Sequence, residues 1–131
     1  MVIEIRVLES TYNELTSRQN LLERALIENR AALESIKGIA SRKVGEVLTQ
    51  VGGGAMLRSP PPSVDKVLVS VGADMVLEKP REEALAMIEE RTKDIEKSIV
   101  SIVGQRDEIK QRLEADQEVL QTLVSGAGQK G

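Results

Sequence analysis

Apolar residues recur at alternating spacings of four and three along both ends of this 131-residue chain. Near the N-terminus the stripe runs Leu8, Tyr12, Leu15, Gln19, Leu22, Leu26, Asn29, Leu33, Ile36 and Ala40, eight of the ten being apolar. Near the C-terminus it runs Ile88, Thr92, Ile95, Ile99, Ile102, Arg106, Ile109, Leu113, Asp116, Leu120 and Leu123, with eight of eleven apolar. A stripe this narrow, sustained over several heptads, describes helices that meet along a seam rather than one helix lying on a broad core. Glu14, Arg18, Glu23, Arg24, Glu28 and Arg30 fall between the seam positions and stay solvated. Each helix is roughly 40 residues, or about 60 Å at the α-helical rise. A connection of about 35 residues whose ends meet runs them antiparallel and brings the two termini together.

Composition supports this division. Tyr12 is the sole aromatic residue, while 30% of the chain is charged. A compact globule of this size would ordinarily fill its core with several rings. Cysteine and histidine are both absent, which excludes disulfides, thiolate metal sites, cysteine nucleophiles and histidine acid/base chemistry. We therefore expect no enzyme activity, no catalytic residue, no cofactor and no metal. The net charge is −3 with both signs interspersed, so neither a basic face nor a stacking surface for nucleic acid is present. No leader-like apolar stretch behind basic residues and no membrane-length apolar run occurs, and the expected location is cytoplasmic.

The centre has a different period. Glu46–Val51 precedes Gly52-Gly53-Gly54, and Ala55–Ser59 follows. Pro60-Pro61-Pro62 then blocks both helix and central strand. In DKVLVSVGADMVLEKP, residues 65–80, Val67, Val69 and Val71 alternate with Leu68 and Ser70, and Gly72-Ala73-Asp74 supplies a turn. Two β-hairpins are expected, over about 46–59 and 66–79. The C-terminal helix is expected to start with Pro80 in its first turn, followed by Glu82 and Glu83, which suit a helix N-terminus. Gly126-Ala127-Gly128 is its expected stop. The boundaries are thus 1–45 for the first helix, 46–79 for the hairpins, 80–124 for the second helix and 125–131 for a flexible tail, all within one domain. The fold class is mainly α with a small β part.

Two short hairpins are marginal alone in water and their edges invite pairing. The β segments are therefore expected to pair with each other and with like segments of other subunits, closing a sheet or barrel as an oligomeric hub. The candidate oligomer interface is Val51, Met56, Val67, Val69, Val71 and Val76, with the Val67, Val69 and Val71 face as assembly surface.

This layout resembles the alpha-class subunit of prefoldin, a molecular chaperone. VGGGAMLR, residues 51–58, looks like that family's first hairpin. DKVLVSVGADMVLEKPREEA, residues 65–84, looks like its second hairpin and helix start. Architecture extends the resemblance over nearly the whole chain, but it is specific mainly over 51–96. Three departures stand out: the rigid Pro60-Pro61-Pro62 link, Pro80 where the family often has a Thr-like cap, and a second hairpin tip without an aromatic residue.

The resemblance implies two alpha-like subunits joined with four beta-class subunits in a hetero-hexamer. It also implies unfolded proteins held at the ends of the coiled coils, clients passed to a group II chaperonin, and no nucleotide hydrolysis. The short chain without extended tails favours an archaeal over a eukaryotic cytosol.

The end far from the hairpins carries Val2, Ile3, Ile5, Val7, Leu8, Leu120, Leu123 and Val124. Val2, Ile3, Ile5 and Val7 cannot all fit one seam, so this set is the candidate client-binding surface; the plainer alternative is that these residues staple or fray the helix ends. Tyr12, Gln19, Arg106 and Asp116 make the outer seam polar, and polar seam positions cost stability or set register. We expect a seam firmer near the hairpins than at its tip.

Two other classes compete. An enzyme with a phosphate loop at Gly52-Gly53-Gly54 would need GxxxxGK followed by Ser or Thr, or GxGxxG between strand and helix, and neither is present. A structural coiled-coil adaptor holding one folded partner is compatible with the periodicity alone.

Overall fold

The structure, a computed structural model, describes residues 2–129, with side chains through Gly126. The element order is α1 (Val2–Ala40), β1 (Val47–Gly52), β2 (Ala55–Ser59), β3 (Lys66–Gly72), β4 (Met75–Pro80) and α2 (Arg81–Gln129). Two long helices thus enclose two small antiparallel hairpins in sequence, as expected. The residues group into two compact units, 1–25 with 95–131 and 26–94, and both helices contribute to each.

In the first unit α1 and α2 run antiparallel. Glu4 meets Arg112 and Gln19 meets Arg106, so the partner number falls as the α1 number rises. The seam follows the heptad reading: Leu8 and Leu15 are buried, while Tyr12, Gln19, Ile102, Arg106, Ile109, Leu113, Asp116 and Leu120 are half-buried. Ile5 extends the buried stripe by three residues. Leu123 departs from it and is exposed.

The second unit joins the other ends of the helices to the hairpins. Leu26, Asn29, Leu33, Ile36 and Ala40 of α1 are half-buried, as are Ile88 and, on the same helix, Met87. Its buried residues, among those described, are Val69, Ala84, Leu85 and Thr92. Lys37 and Glu89 pair across the helices at 3.3 Å. Arg91 Nη2 donates to the Ser70 carbonyl at 2.7 Å, tying β3 back to the third turn of α2.

Several boundaries differ from expectation. α1 ends at Ala40 rather than 45. There the Ser41 amide donates to Lys37 O and the Arg42 amide to Ile39 O, both at 3.0 Å. Arg42 turns left-handed at φ 59°, the conformation that closes many helix C-termini. Pro80 does not enter the helix. It is the last residue of β4, opposite Lys66, where a strand end needs no further donor. The Arg81 amide instead donates to Asp65 O at 3.1 Å. α2 runs through Gly126 to Gln129: glycine weakens a helix but does not forbid it. Of the tail expected over 125–131, the first five residues are therefore helical, and the last two lie outside the described residues.

The hairpins share one construction. β1 pairs with β2 and β3 with β4, each with a register shift just before the turn, at Gln50/Gly52 and Ser70/Gly72. The turn residues proper are Gly53-Gly54 and Ala73-Asp74, all at positive φ, which gives the twist that two-residue hairpins prefer. Gly72 belongs to β3, not to the turn. The hairpins remain two separate two-stranded sheets; the expected pairing of one with the other does not occur within the chain.

Candidate functional site

The pleat decides what each hairpin offers. In the second hairpin Val67, Val69 and Val71 share a face with Lys79 and Leu77, because Val67 opposes Lys79 and Val69 opposes Leu77. That face turns inward: Val69 is 5% exposed and Val67 is half-buried. The opposite face carries Leu68, at 70% exposure, and Val76, opposite Ser70. The Val67, Val69 and Val71 face is therefore mainly this chain's own packing surface, with Val71 at its exposed edge, and Leu68 with Val76 is the uncovered one. Alternation alone separates the two faces in sequence. Which one a chain buries depends on where α2 lies, and no local signal encodes that.

The first hairpin has no covered face. Leu48, Val51, Met56 and Leu57 are all more than half exposed. Leu48 opposes Arg58 and Thr49 opposes Leu57, so apolar side chains stand on both faces. Of the six residues expected at the interface, Val51, Met56, Val71 and Val76 are exposed, Val67 is half-buried and Val69 is buried. Leu48, Leu57, Leu68 and Met75 are exposed large apolar residues that the sequence reading missed.

The second set lies in the first unit. Val2, Ile3, Val7, Leu123 and Val124 are exposed, Ile3 at 78%, and Leu120 is half-buried. Ile5 and Leu8 are buried in the seam, so they do not belong to this exposed surface. The reason is phase: Ile5 lies three residues before Leu8, on the same helical face.

The polar seam residues are organised around Arg106. Its Nη1 donates to Gln19 Oε1 at 2.5 Å and its Nη2 to the Tyr12 hydroxyl at 2.9 Å. Its guanidinium carbon lies 4.7 Å from the Tyr12 ring centre, within cation–π range. Arg106 Nε and Asp116 Oδ2 are buried without a hydrogen-bond partner. Among the described residues no group of three or more Asp or Glu side chains is placed to hold a metal ion, and no helix is long and apolar enough to cross a membrane.

Paired helices joined by hairpins that each leave large apolar residues uncovered define a coiled-coil subunit with surface for assembly. The family model "Prefoldin subunit" matches residues 8–126, and the chain belongs to the prefoldin family. It is 30% identical to "Prefoldin subunit alpha" of Methanoculleus marisnigri over 95% of this chain and 93% of that protein. It is 28% identical to the protein of the same name from Nitrosopumilus maritimus, over 98% and 88%. Among solved structures, filamentous PFD from Methanocaldococcus jannaschii aligns with a TM-score of 0.72 and 25% identity, covering 88% of this chain and 96% of that one.

Proposed function

We propose that this protein is an alpha-class subunit of an ATP-independent chaperone. Its hairpins join a hub of two alpha-class and four beta-class subunits. Its coiled-coil tip captures unfolded proteins, prevents their aggregation and passes them to a group II chaperonin. The observation that carries this reading is the exposure of large aliphatic side chains in two places. Leu48, Val51, Met56, Leu57, Leu68 and Val76 crowd the hairpins, and Val2, Ile3, Val7, Leu123 and Val124 crowd the far ends of the helices. Burial of such surface yields about 25 cal/mol per Å² without directional demands. That suits stable assembly at the hairpins and capture of varied sequences at the tip.

The test is aggregation of an unrelated denatured enzyme, followed by light scattering without ATP. The chain assembled with a beta-class partner suppresses scattering, and deletion of residues 1–7 and 120–131 removes most of the suppression. Unchanged suppression after deletion would refute the tip assignment. No suppression with any partner would favour an adaptor for one folded protein.

A further inference from the structure

We propose that two copies of this chain pair through their hairpins, the first hairpin of each lying on the second hairpin of the other, and that Glu46, Arg58, Lys66 and Glu78 fix this choice. This deepens the hub reading above and rests on it. The hairpins form an internal repeat. Residues 67–79 follow residues 47–59 at a spacing of 20, with the same residue at 47 and 67, 48 and 68, 51 and 71, 52 and 72, and 57 and 77. The pairing repeats as well. Leu48 opposes Arg58 as Leu68 opposes Glu78, Gln50 opposes Met56 as Ser70 opposes Val76, and the register shifts at the same place. The face carrying Leu68 and Val76 is open, and so is its equivalent carrying Leu48 and Met56; all four residues are more than half exposed.

On these matched faces the charges are reversed. Glu46, just before β1, and Arg58 flank Leu48 and pair at 3.7 Å. Their equivalents are Lys66 and Glu78, opposite in sign at each position, and these two form no ion pair among the described residues. The other charges of the second hairpin lie elsewhere: Asp74 is in the turn, and Lys79 is on the inward face, 3.9 Å from Glu83. Within one chain the open faces do not cover each other, and the connection between the hairpins begins with Pro60-Pro61-Pro62, a stiff spacer. A second copy supplies both missing faces at once. About a two-fold axis, the first hairpin of one copy meets the second of the other, and the reciprocal contact forms with it. Turned over about the Glu46–Arg58 diagonal, the first hairpin sets Glu46 on Lys66 and Arg58 on Glu78 and covers the apolar side chains beside them. The strands then cross steeply, as in orthogonally packed sheets. The same stacking of two first hairpins, or of two second ones, sets like charge on like at both positions and is rejected.

The experiment is sedimentation equilibrium of the full chain. The unmodified chain forms a two-copy species. E46K with R58E keeps opposite charges on the first hairpin's own diagonal but matches their signs to those of the second, and it weakens self-association at least about 10-fold. K66E with E78K has the same effect from the other side. All four substitutions together restore the opposition and return self-association to within about threefold of the unmodified chain, a non-additivity that only a direct pairing produces. The losses shrink between about 0.05 and about 0.5 M salt. All four side chains are exposed, and the substitutions leave helical circular dichroism unchanged. Self-association indifferent to either pair of substitutions, or not restored by all four, overturns the charge-set pairing. A chain that stays monomeric on its own overturns it too. The hub reading is decided separately, by whether the chain still assembles with a beta-class partner.

Discussion

At the residue scale, two backbone positions are held against their preferences. Ala73 lies at φ 50° in the turn of the second hairpin, where a side chain disfavours the left-handed region by about 1 kcal/mol. Ala73→Gly removes that penalty, and its thermal midpoint should rise by a few degrees; a fall would show that the turn depends on the alanine methyl. Gly104 is the converse. It lies inside α2, and a Cβ built there meets nothing within 4 Å. Gly104→Ala should add about 1 kcal/mol of stability, read from denaturant midpoints, and no gain would indicate that the position is covered in the assembly. Gly104 falls between the seam positions Ile102 and Arg106, where the heptad spacing leaves it off the seam. The sequence placed Ala73 in the turn, within Gly72-Ala73-Asp74, but began that turn one residue too early and gave no sign that the alanine takes a left-handed conformation.

At the scale of elements, the seam was the most legible feature. Every α1 position assigned to it is buried or half-buried, as is every α2 position except Leu123. Heptad spacing is a local property and survives any assembly. The hairpin strands were legible too, but not their facing. Val67, Val69 and Val71 read as the apolar face, yet Val69 is buried in its own chain and Leu68 stands outward. The two should therefore respond differently to substitution. Val69→Ala costs about 2 kcal/mol, visible as a lower melting midpoint. Leu68→Asp with Val76→Asp leaves helical circular dichroism unchanged but blocks assembly in sedimentation. Equal effects of both would remove the distinction between the faces. The polar seam divides in the same way. Tyr12 and Gln19 both accept from Arg106, which leaves only its Nε without a partner, whereas no donor reaches Asp116 Oδ2. Amides of residues 113–124 are expected to exchange faster than those of 95–106; equal protection would contradict a soft tip.

At the scale of the whole molecule, the main limit on the sequence is that much of the second unit's apolar surface has no partner in this chain. The first hairpin leaves Leu48, Val51, Met56 and Leu57 open on its two faces, and such a hairpin is marginal alone. Other chains are expected to cover it. The most direct test is the mass of the intact complex formed when this chain is produced together with a beta-class prefoldin subunit. A hetero-hexamer with two copies of this chain and four of its partner is expected. A stable monomer with both hairpins folded would contradict it.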